Sequence, residues 1–401
     1  MREVFIISTG QIVNGRTAGS QRMMNIARAV ANGGVAVFLC SYNQISNNSI
    51  VNNEIYPGIY NLESKNSNGR REPTISGFLK SLNGFMKGRD AEKAIYLYPT
   101  AFTLKDWTYL FYFKFIRRYK LFCDINELRS TNVFTATPPG RLVPLIIFIL
   151  KSVRDFVAYK ISEIQVLFYD GIIVISSGLQ KYYSRFAGKI IKVPILCDAE
   201  KIPAEQPVSR YDGRVFKICF AGFINCRKEG FEILFKALSR INCNSRRVEL
   251  YLYGILTEED KHRLGQLAGV YELNERLFYM GNIDPNDLIT EFARYHLLIL
   301  PRPLTRQTKF GFSTKLSEYL ISGIPVLVTD VSDNSAYIKD NYNGFVIPPG
   351  SEILMENKIL EIMENYNENA RRIAGNAFLT VREYFDYKLY TKPLTDLFFN
   401  N

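Results

Sequence analysis

Short runs of apolar residues alternate along the chain with segments in which apolar residues recur every three or four positions. The first runs are EVFIIS (residues 3–8) and VAVFLCSY (35–42), and QRMMNIARAVANGG (21–34) between them has helical spacing and ends in two glycines. Strands without an alternating pattern are typical of a parallel sheet that helices cover on both faces. The chain therefore begins as a doubly wound α/β domain.

The same rhythm continues and then restarts after a polar boundary segment, residues 197–214. Residues 43–75 are polar and rich in Asn, which predicts a loop and an edge strand. Near the end, residues 355–378 are predicted as one polar helix and residues 381–400 as a terminal amphipathic helix. The pattern thus predicts two successive doubly wound α/β domains. Its other strand runs are AIYLYP, KLFCDI, DGIIVIS and KIIKVPIL before the boundary, and VFKICFAG, VELYLYG, LFYMGN, HLLILP, PVLVTD and GFVIPPG after it.

Three observations exclude other classes of protein. The longest apolar stretch, Leu142 to Leu150, contains Pro144 and is far shorter than the roughly 20 residues that span a bilayer. The opening MREVFIISTG has the pattern of a buried strand and not of a signal peptide. Six scattered cysteines without a CxxC pair, and only two histidines, predict neither a zinc site nor a disulfide framework and favour the cytosol.

The charge is unevenly distributed. Residues 1–200 contain 25 Lys and Arg against 14 Asp and Glu, a net charge of +11, whereas residues 201–401 contain 25 of each. A basic first half indicates an anionic partner for that half: a phospholipid surface, an acceptor that carries pyrophosphate, or nucleic acid.

Ligands of doubly wound folds bind at the carboxyl ends of the strands, and three segments fall there. The first, NGRTAGSQRMMN (14–25), has Gly15 and Gly19 to admit a ligand close to the backbone and Ser20 at a helix start that favours an anion. The alternative is a loop that needs glycine for its turns.

The second segment, FAGFINCRKEGFEILFKAL (220–238), brings Arg227 and Lys228 to the end of a strand. Two adjacent cations there fit a diphosphate, Arg through bidentate contacts and Lys as a point charge. The alternative is a solvated basic loop.

The third segment, residues 297–330, continues from its strand into a basic loop and a helix start. Ser313 and Thr314 are N-cap types whose hydroxyls and free N–H groups bind phosphate oxygens. Glu318 suits two neighbouring sugar hydroxyls. Read locally, Lys315 and Glu318 also form the kind of surface ion pair that contributes little.

GFSTKLSEYLISGIPVLVTD (311–330) and NGFVIPPGSE (343–352) resemble the donor-nucleotide segment of retaining GT-B glycosyltransferases, the family-4 group. That group carries E-x-F-G-x-x-x-x-E-A-x-A-x-G-x-P-V-V-x-T followed by NGxLVPPGD. FAGFINCRKEGFEILFKAL is similar to its GRLxxxKGxxxLLxAL, and YMGNIDPNDLITEFARYHLLILP to its GxVxxxELxxxYxxADxxVLPS. Looser matches in the first half, such as GRTAGSQRMMN to GGxERxxxxLA, extend the resemblance from near residue 5 to near residue 385.

The resemblance implies a GT-B fold: two Rossmann-like domains with doubly wound parallel sheets that face a central cleft. It implies an acceptor-binding domain at residues 1–205, a nucleotide-sugar-binding domain at 206–380, and a helix at 381–401 that returns to the first domain.

Carried over position by position, the resemblance places Glu318 at the nucleotide ribose, Lys228 at the donor diphosphate and the backbone of Gly19 close to the same diphosphate. It implies no metal site. Lys228, Glu318 and Glu127 are the predicted catalytic residues. The predicted donor-binding residues are Gly19, Arg227, Lys228, Gly311, Phe312, Ser313, Thr314, Lys315 and Glu318.

The chain departs from the family pattern at three places. Phe310 stands where the family has its first acidic residue, and Phe223 where it has an arginine. The histidine of the first domain has no counterpart, and Asp124 or Glu127 is the nearest acid to its place. A subset of the family uses a T-K-x-x-E helix start, which would give Lys315 a role at the diphosphate, with Arg302 and Arg306 as further cations.

The resemblance predicts sugar transfer from a UDP- or GDP-sugar, with retention of anomeric configuration and without metal or other cofactor. The expected acceptor is a lipid-linked or growing surface-polysaccharide glycan, and the expected location is the cytoplasm, with the basic first half against an anionic membrane. The alternatives are an inactive partner subunit that has lost its acid at Phe310, a sugar-nucleotide epimerase, and a nucleic-acid-binding protein. No nucleic-acid-binding module is recognisable, and nucleic acid is not expected as a partner.

Overall fold

The chain folds into two compact units. Unit 1 comprises Met1–Leu196 and Tyr387–Asn401, and unit 2 comprises Cys197–Asp386; the boundaries that the resemblance implies fall after residues 205 and 380. The structure is a computed structural model, and it describes residues 1–13, 17–45, 50–64, 74–98, 104–131, 133, 142–244, 247–284 and 287–400.

Unit 1 is built on an eight-stranded sheet with the strand order β3-β4-β2-β1-β5-β6-β7-β8. Every neighbouring pair is parallel except the edge pair β3 and β4, which confirms the edge strand expected in the Asn-rich segment. The central strands are buried on both faces, as their continuous apolar runs require. The strands are β1 (Arg2–Ser8), β2 (Ala36–Ser41), β3 (Ile50–Tyr56), β4 (Ile59–Ser64), β5 (Glu92–Tyr98), β6 (Lys120–Ile125), β7 (Gly171–Val174) and β8 (Ile190–Lys192).

Helices follow the strands of unit 1 and begin at recognisable caps. Thr17 accepts a hydrogen bond from the backbone N–H of Ser20 and forms a capping box with it. Thr74 and Ser176 cap two later helices through their side-chain oxygens. The helices are α1 (Ala18–Ala31), α2 (Ile75–Lys87), α3 (Leu104–Leu110), which runs into a π-helical segment (Phe111–Ile116), α4 (Leu142–Glu163) and α5 (Ser177–Tyr183).

Unit 2 has a six-stranded, all-parallel sheet with the strand order β11-β10-β9-β12-β13-β14. Counted along unit 2 alone this is the order 3-2-1-4-5-6 of a Rossmann fold, whose connections change direction between the first and fourth strands. The strands are β9 (Phe216–Ala221), β10 (Val248–Tyr253), β11 (Leu277–Gly281), β12 (Leu297–Leu300), β13 (Val326–Thr329) and β14 (Phe345–Ile347).

Eight helices are described in unit 2, and the last two occupy the segment that the sequence predicts as one. The prediction of one helix over residues 355–378 is wrong, because Asn365 leaves the helical conformation at φ −105°, ψ 13° and separates two helices. The helices are α6 (Phe231–Cys243), α7 (Glu258–Val270), α8 (Leu288–Phe292), α9 (Arg306–Phe310), α10 (Lys315–Ser322), α11 (Asn334–Tyr337), α12 (Glu352–Glu364) and α13 (Tyr366–Thr380).

The end of the chain returns to unit 1 in three short pieces. A π-helical segment (Val381–Phe385) belongs to unit 2, and a 3-10 turn (Tyr387–Tyr390) and helix α14 (Thr391–Phe399) belong to unit 1. The prediction of one continuous helix over residues 381–400 is therefore wrong, because the extended backbone of Asp386 (ψ 126°) interrupts it. Helix α14 packs on α1 and buries Phe398 in the core of unit 1.

The predicted fold class, two doubly wound α/β domains with a helical end, is confirmed. Within the ranges that the structure describes, no helix has both the length and the apolar character needed to cross a bilayer.

Candidate functional site

The carboxyl ends of β9 and β12 meet at the point where the connections of the unit 2 sheet change direction. In open α/β sheets a crevice forms at this point, and ligands bind there. Gly222 follows β9, and Pro301 and Arg302 follow β12. The two loops touch at Gly230, where a Cβ atom would lie 2.1 Å from the carbonyl oxygen of Pro301, so only glycine fits.

Three buried charges lie together where these loops meet the start of helix α10, and we call them the Glu229 cluster: Glu229, Arg302 and Lys315. The guanidinium of Arg302 donates to both carboxylate oxygens of Glu229, at 3.0 and 2.9 Å. The ammonium of Lys315 donates to Oε1 of Glu229 at 2.9 Å. All three side chains are less than one tenth exposed, so the cluster has two positive charges and one negative charge in a site with little water.

Burial and the neighbouring charges shift the pKa values of the Glu229 cluster. Burial raises the pKa of the Glu229 carboxyl, but Arg302 and Lys315 lower it more, and the result is a pKa of about 2. Burial lowers the pKa of the Lys315 ammonium to about 8, although Glu229 acts in the opposite direction. Lys315 is therefore a cation at neutral pH that loses its proton in mildly alkaline solution.

The side chain of Lys315 lies against the backbone of Gly222. A Cβ atom on Gly222, whose φ is +144°, would lie 2.0 Å from Cε of Lys315. The ammonium also lies 4.8 Å from the centroid of the Phe220 ring. Gly222 thus lets a lysine from helix α10 reach the end of strand β9.

Glycine also ends the next two strands of the sheet. Gly222, Gly254 and Gly281 follow or close β9, β10 and β11, with φ values of +144°, +129° and +80°. A Cβ atom on Gly254 would lie 1.9 Å from the carbonyl oxygen of Gly222. The glycines therefore let the Lys315 side chain and the neighbouring backbone pack closely at this edge of the sheet, beside the Glu229 cluster.

Helix α10 begins beside the cluster with polar groups that it does not use itself. The hydroxyl of Ser313 is buried, and no hydrogen-bond partner for it lies within the described residues. Thr314 occupies the N-cap without a hydrogen bond from its side chain to the helix. The N–H of Leu316 donates to the carbonyl of Ser313 at 3.3 Å. The buried, unused hydroxyl beside this helix start is suited to an anion.

The other predicted residues of this segment have different surroundings. Glu318 is half-buried in the first turn of α10. Phe312 is buried against the rings of Tyr337 and Phe385, so it offers a ligand its backbone and not its side chain. Gly311 ends helix α9, and its N–H donates to the carbonyl of Gln307 at 3.0 Å.

The two cations predicted from the second segment are separated. Lys228 is half-buried, and its charge contributes to the lowered pKa of Lys315, so the two ammonium groups influence each other. Arg227 is more exposed and pairs with Glu259 at 3.7 Å. The structure thus brings Lys228 to the Glu229 cluster and leaves Arg227 beside helix α7.

In unit 1, Gly19 lies in the first turn of α1 against Tyr98 at the end of β5. A Cβ atom on Gly19 would lie 3.1 Å from the hydroxyl of Tyr98. Gly15 falls in residues 14–16, outside the described part of the chain.

Of the two acids proposed near the end of β6, Asp124 is occupied by structural contacts. It is buried, it pairs with Arg22 at 3.0 Å, and it accepts a hydrogen bond from Tyr96 at 2.6 Å. Glu127 follows β6 and is half-buried, so it is the acid of the two that retains solvent contact.

Sequence reasoning missed Glu229. The sequence contains a signal for it, because Glu229 is an acidic residue that follows two cations and precedes a glycine in an otherwise basic loop. Cations that become buried need a counter-ion, but only the structure shows that Arg302 and Lys315 are the buried ones.

No group of three or more His, Cys, Asp or Glu side chains in the described ranges has an arrangement that would hold a metal ion.

The fold and the site together define a class of protein. The chain is similar over 99% of its length to sucrose-phosphate synthase from Thermosynechococcus elongatus (98% of that chain, 16% identity, TM-score 0.70). It is also similar to Anabaena HepE in complex with UDP and glucose (99% of each chain, 15% identity, TM-score 0.67) and to a glycosyltransferase from Rickettsia africae (100% and 99%, 13% identity, TM-score 0.67). These likenesses give unit 1 and unit 2 together the GT-B fold.

The sequence of unit 2 matches a known family model. Residues 202–379, less than half of the chain, match the model described as Glycosyl transferases group 1. This match confirms the predicted resemblance to group 1 glycosyltransferases over those residues.

Curated relatives agree with this family. The uncharacterized glycosyltransferase MJ1069 of Methanocaldococcus jannaschii is 23% identical over 203 residues, 50% of this chain and 49% of that protein. Sucrose synthase of Melioribacter roseus is 25% identical over 204 residues, 49% of this chain and 25% of that protein. The chain thus spans half or less of the curated relatives that it matches.

Proposed function

We propose that this protein transfers a sugar from a UDP- or GDP-sugar to a glycan or lipid-linked acceptor, with retention of anomeric configuration and without a metal ion. One observation carries the proposal: just before helix α10, in the segment that matches glycosyl transferases group 1, lies the buried hydroxyl of Ser313, for which the described residues offer no hydrogen-bond partner. Two cations, Lys315 and Lys228, accompany it at the point where the sheet connections change direction.

The chemistry of the transfer requires that negative charge on a departing diphosphate is stabilised. Fixed cations and helix-start N–H groups in a site with little water do this without reorganisation at the moment of reaction. Lys315, Lys228 and the start of α10 take this role, and Glu318 accepts hydrogen bonds from the ribose. Gly222 lets the Lys315 side chain reach the sheet edge, where its ammonium takes this role.

The donor class is supported by relatives of the same fold. HepE is described in complex with UDP and glucose, and TarM of S. aureus with UDP and α-GlcNAc-glycerol. For the acceptor, the positive charge of the first half favours an anionic or lipid-linked glycan at the cytoplasmic face of a membrane. Glu127 is the proposed acid of unit 1.

The first test is ligand-induced stabilisation. UDP, GDP and their sugars are screened by thermal shift, since a ligand that binds only the folded state raises the melting temperature. Donor hydrolysis and transfer are then followed by mass spectrometry with the selected donor. Stabilisation by neither nucleotide would contradict the proposal.

The residue assignment is tested with matched pairs of variants. Lys228→Ala and Glu318→Ala are expected to lower turnover about 100-fold or more, because each removes a group that contacts the leaving diphosphate or the ribose. Lys261→Ala and Glu368→Ala are the controls, since both residues are exposed on helices α7 and α13, and turnover should stay within about twofold. Full activity of either site variant would contradict its assignment.

An inactive partner subunit of the same fold is the second candidate, because Phe310 replaces the first acid of the family motif. It predicts that UDP or GDP stabilises the protein while no donor sugar is hydrolysed or transferred under any acceptor condition.

A further inference from the structure

Helix α4 of unit 1 carries its aliphatic residues on the outside. Ile147 and Leu150 are 60% and 66% exposed, whereas Ser152 and Ser162 are only 6% and 7% exposed. A helix on the surface of a soluble domain normally buries its apolar residues and exposes its polar ones. Helix α4 therefore has the opposite pattern, and its outer face lacks a partner within the described residues.

The exposed residues form one continuous face, which we call the α4 apolar face: Ile146, Leu150, Val153, Val157 and Ile161, all between 47% and 66% exposed. Successive members are three or four residues apart, so at 3.6 residues per turn they lie on a strip about 80° wide and about 23 Å long. A strip of this shape is suited to contact with a flat surface and not with a small ligand.

Neighbouring segments extend this face with aromatic residues. Phe111 and Phe115 of the π-helical segment are 58% and 50% exposed, and Phe168, which follows α4, packs edge-on against Phe115 and Trp107. Thirteen of the 27 large hydrophobic side chains that are exposed in the described residues lie between residues 111 and 168. Exposed apolar surface of this concentration marks an interaction site.

Cations border the same surface. Lys151 and Arg154 are exposed on one flank of the α4 apolar face, where Arg154 also pairs with Asp155 at 2.7 Å. Arg118 is exposed just after the π-helical segment. A symmetric contact with a second copy of the chain would bring two sets of these cations into one interface. A phospholipid surface offers phosphates to the cations and hydrocarbon to the aliphatic residues, with aromatic rings at the boundary between them.

We infer that unit 1 docks on an anionic phospholipid bilayer by inserting the α4 apolar face, with Lys151, Arg154 and Arg118 at the level of the phosphates. The docking inference rests on this geometry alone. If unit 1 docks in this way, the acceptor reaches it from the membrane plane and carries a lipid, and this consequence also rests on the proposed function.

The test uses Trp107, the only tryptophan in the chain, as a built-in reporter. The full chain is mixed with vesicles of phosphatidylcholine alone or with phosphatidylglycerol, and binding is followed by flotation and by the Trp107 emission maximum. We expect binding to the anionic vesicles with a blue shift of the emission. No binding to anionic vesicles would overturn the inference.

Two pairs of variants separate insertion from adsorption by charge. Leu150→Ser with Val157→Ser leaves the charge unchanged and should weaken partitioning into anionic vesicles about tenfold or more, since each inserted aliphatic side chain contributes strongly. The control is Val270→Ser with Leu379→Ser, two exposed residues of unit 2, which should leave partitioning unchanged. Lys151→Gln with Arg154→Gln should weaken binding to anionic vesicles and leave weak binding to neutral ones unchanged.

Two outcomes overturn the docking inference and point elsewhere. Equal partitioning of the wild-type chain and the Leu150→Ser, Val157→Ser chain would mean that the α4 apolar face does not insert. A dimer in light scattering that the same pair of substitutions dissociates, with vesicle binding unchanged, would identify a second copy as the occupant. Thermal stabilisation by UDP or GDP reports on unit 2 independently, so its presence or absence tests the proposed function and not the docking.

Discussion

Glu229 illustrates how one side chain organises a site made from three separate segments. It follows a basic loop, yet it holds Arg302 from the loop after β12 and Lys315 from helix α10. The carboxylate keeps both cations charged in a buried place, where an isolated cation would tend to lose its proton or draw in water. The site therefore retains positive charge toward an anionic ligand without a large exposed basic patch.

Replacing Glu229 tests this role through stability. Glu229→Gln leaves two buried cations without a counter-charge and should lower the free energy of unfolding by about 3 kcal/mol or more. Urea denaturation with hydrogen exchange of unit 2 peptides measures it, and Glu368→Gln, at an exposed position, should change stability by less than about 0.5 kcal/mol. A cost for Glu229→Gln below about 1 kcal/mol would contradict the account.

The loss of stability caused by Glu229→Gln should depend on pH. The pKa of Glu229 is lowered from 4.5 to about 2 in the folded state, which corresponds to about 3 kcal/mol of stability that is complete above pH 4.5. That contribution is lost as the pH falls toward 2. The stability difference between the wild-type chain and Glu229→Gln should therefore shrink over this interval.

The lowered pKa of Lys315 predicts that ligand binding depends on pH. Its pKa is lowered from 10.5 to about 8, so the ammonium is charged at pH 7 and neutral above about pH 9. The affinity for UDP or GDP should fall as the pH rises through 8, and calorimetry between pH 7 and 9.5 measures it. The affinity of Lys315→Met should not change with pH, and Lys261→Met, the control, should behave like the wild-type chain. A wild-type affinity that does not change with pH would show that Lys315 does not face the nucleotide.

At the scale of elements, the N-terminal end of helix α10 has polar groups that the helix itself does not use. Its N-cap makes no side-chain hydrogen bond, as is also true of α6, α8, α11, α13 and α14, whereas the caps of α1, α2 and α7 do. Its C-terminal end is satisfied, since Gly323 takes a positive φ of 73° and its N–H donates to the carbonyl of Leu320. The incomplete end is the one that faces the Glu229 cluster.

Two serines of this helix region are expected to respond in opposite directions. Ser313→Ala removes a buried hydroxyl without a described partner and should raise the free energy of unfolding without ligand by about 1 kcal/mol, while it reduces stabilisation by UDP or GDP. Ser322 is equally buried, but it donates to the carbonyl of Tyr319 at 2.7 Å and accepts from Ile324. Ser322→Ala should lower stability by about 1–2 kcal/mol and leave the nucleotide response intact. A destabilising Ser313→Ala would indicate that the hydroxyl already has a partner.

At the scale of the whole molecule, the chain leaves unit 1 once and returns to it at the end. Helix α14 completes the core of unit 1, where the ring of Phe398 contacts those of Tyr96 and Phe122 at centroid distances of 5.9 and 4.9 Å. Gly171 on β7 leaves space for this helix, because a Cβ atom there would lie 2.8 Å from Leu397. Unit 1 thus needs residues from both ends of the chain.

Phe398→Ala should therefore destabilise unit 1 by about 3–5 kcal/mol, since it leaves a cavity among fully buried side chains. Hydrogen exchange should show lost protection in β1, β5 and β6 and unchanged protection in β9, β12 and β13. Leu389→Ala, at an exposed position of the same returning segment, is the control and should have a small effect. Equal loss of protection in both units would mean that they unfold together.

Much of this architecture follows from local pattern. Unpatterned apolar runs such as residues 3–8 predict buried parallel strands, because a strand covered on both faces has no polar side to display. Glycines and N-cap residues mark the turns between strand and helix, and the segment from Gly311 to Glu318 was identified as a helix start. The break at Asn365 and the interruption at Asp386 were not predicted, because hydrophobic spacing continues through both.

The amino-acid sequence alone determined the two doubly wound domains, the basic first half and the segments that carry the candidate site. Only the tertiary structure decided which charges of those segments are buried and which partner each has. Burial depends on contacts between residues that are far apart in the chain, as between Glu229 and Lys315. For the same reason only the structure decided that the aliphatic face of α4 points outward, since helical spacing shows that a helix has an apolar face and not which way that face points.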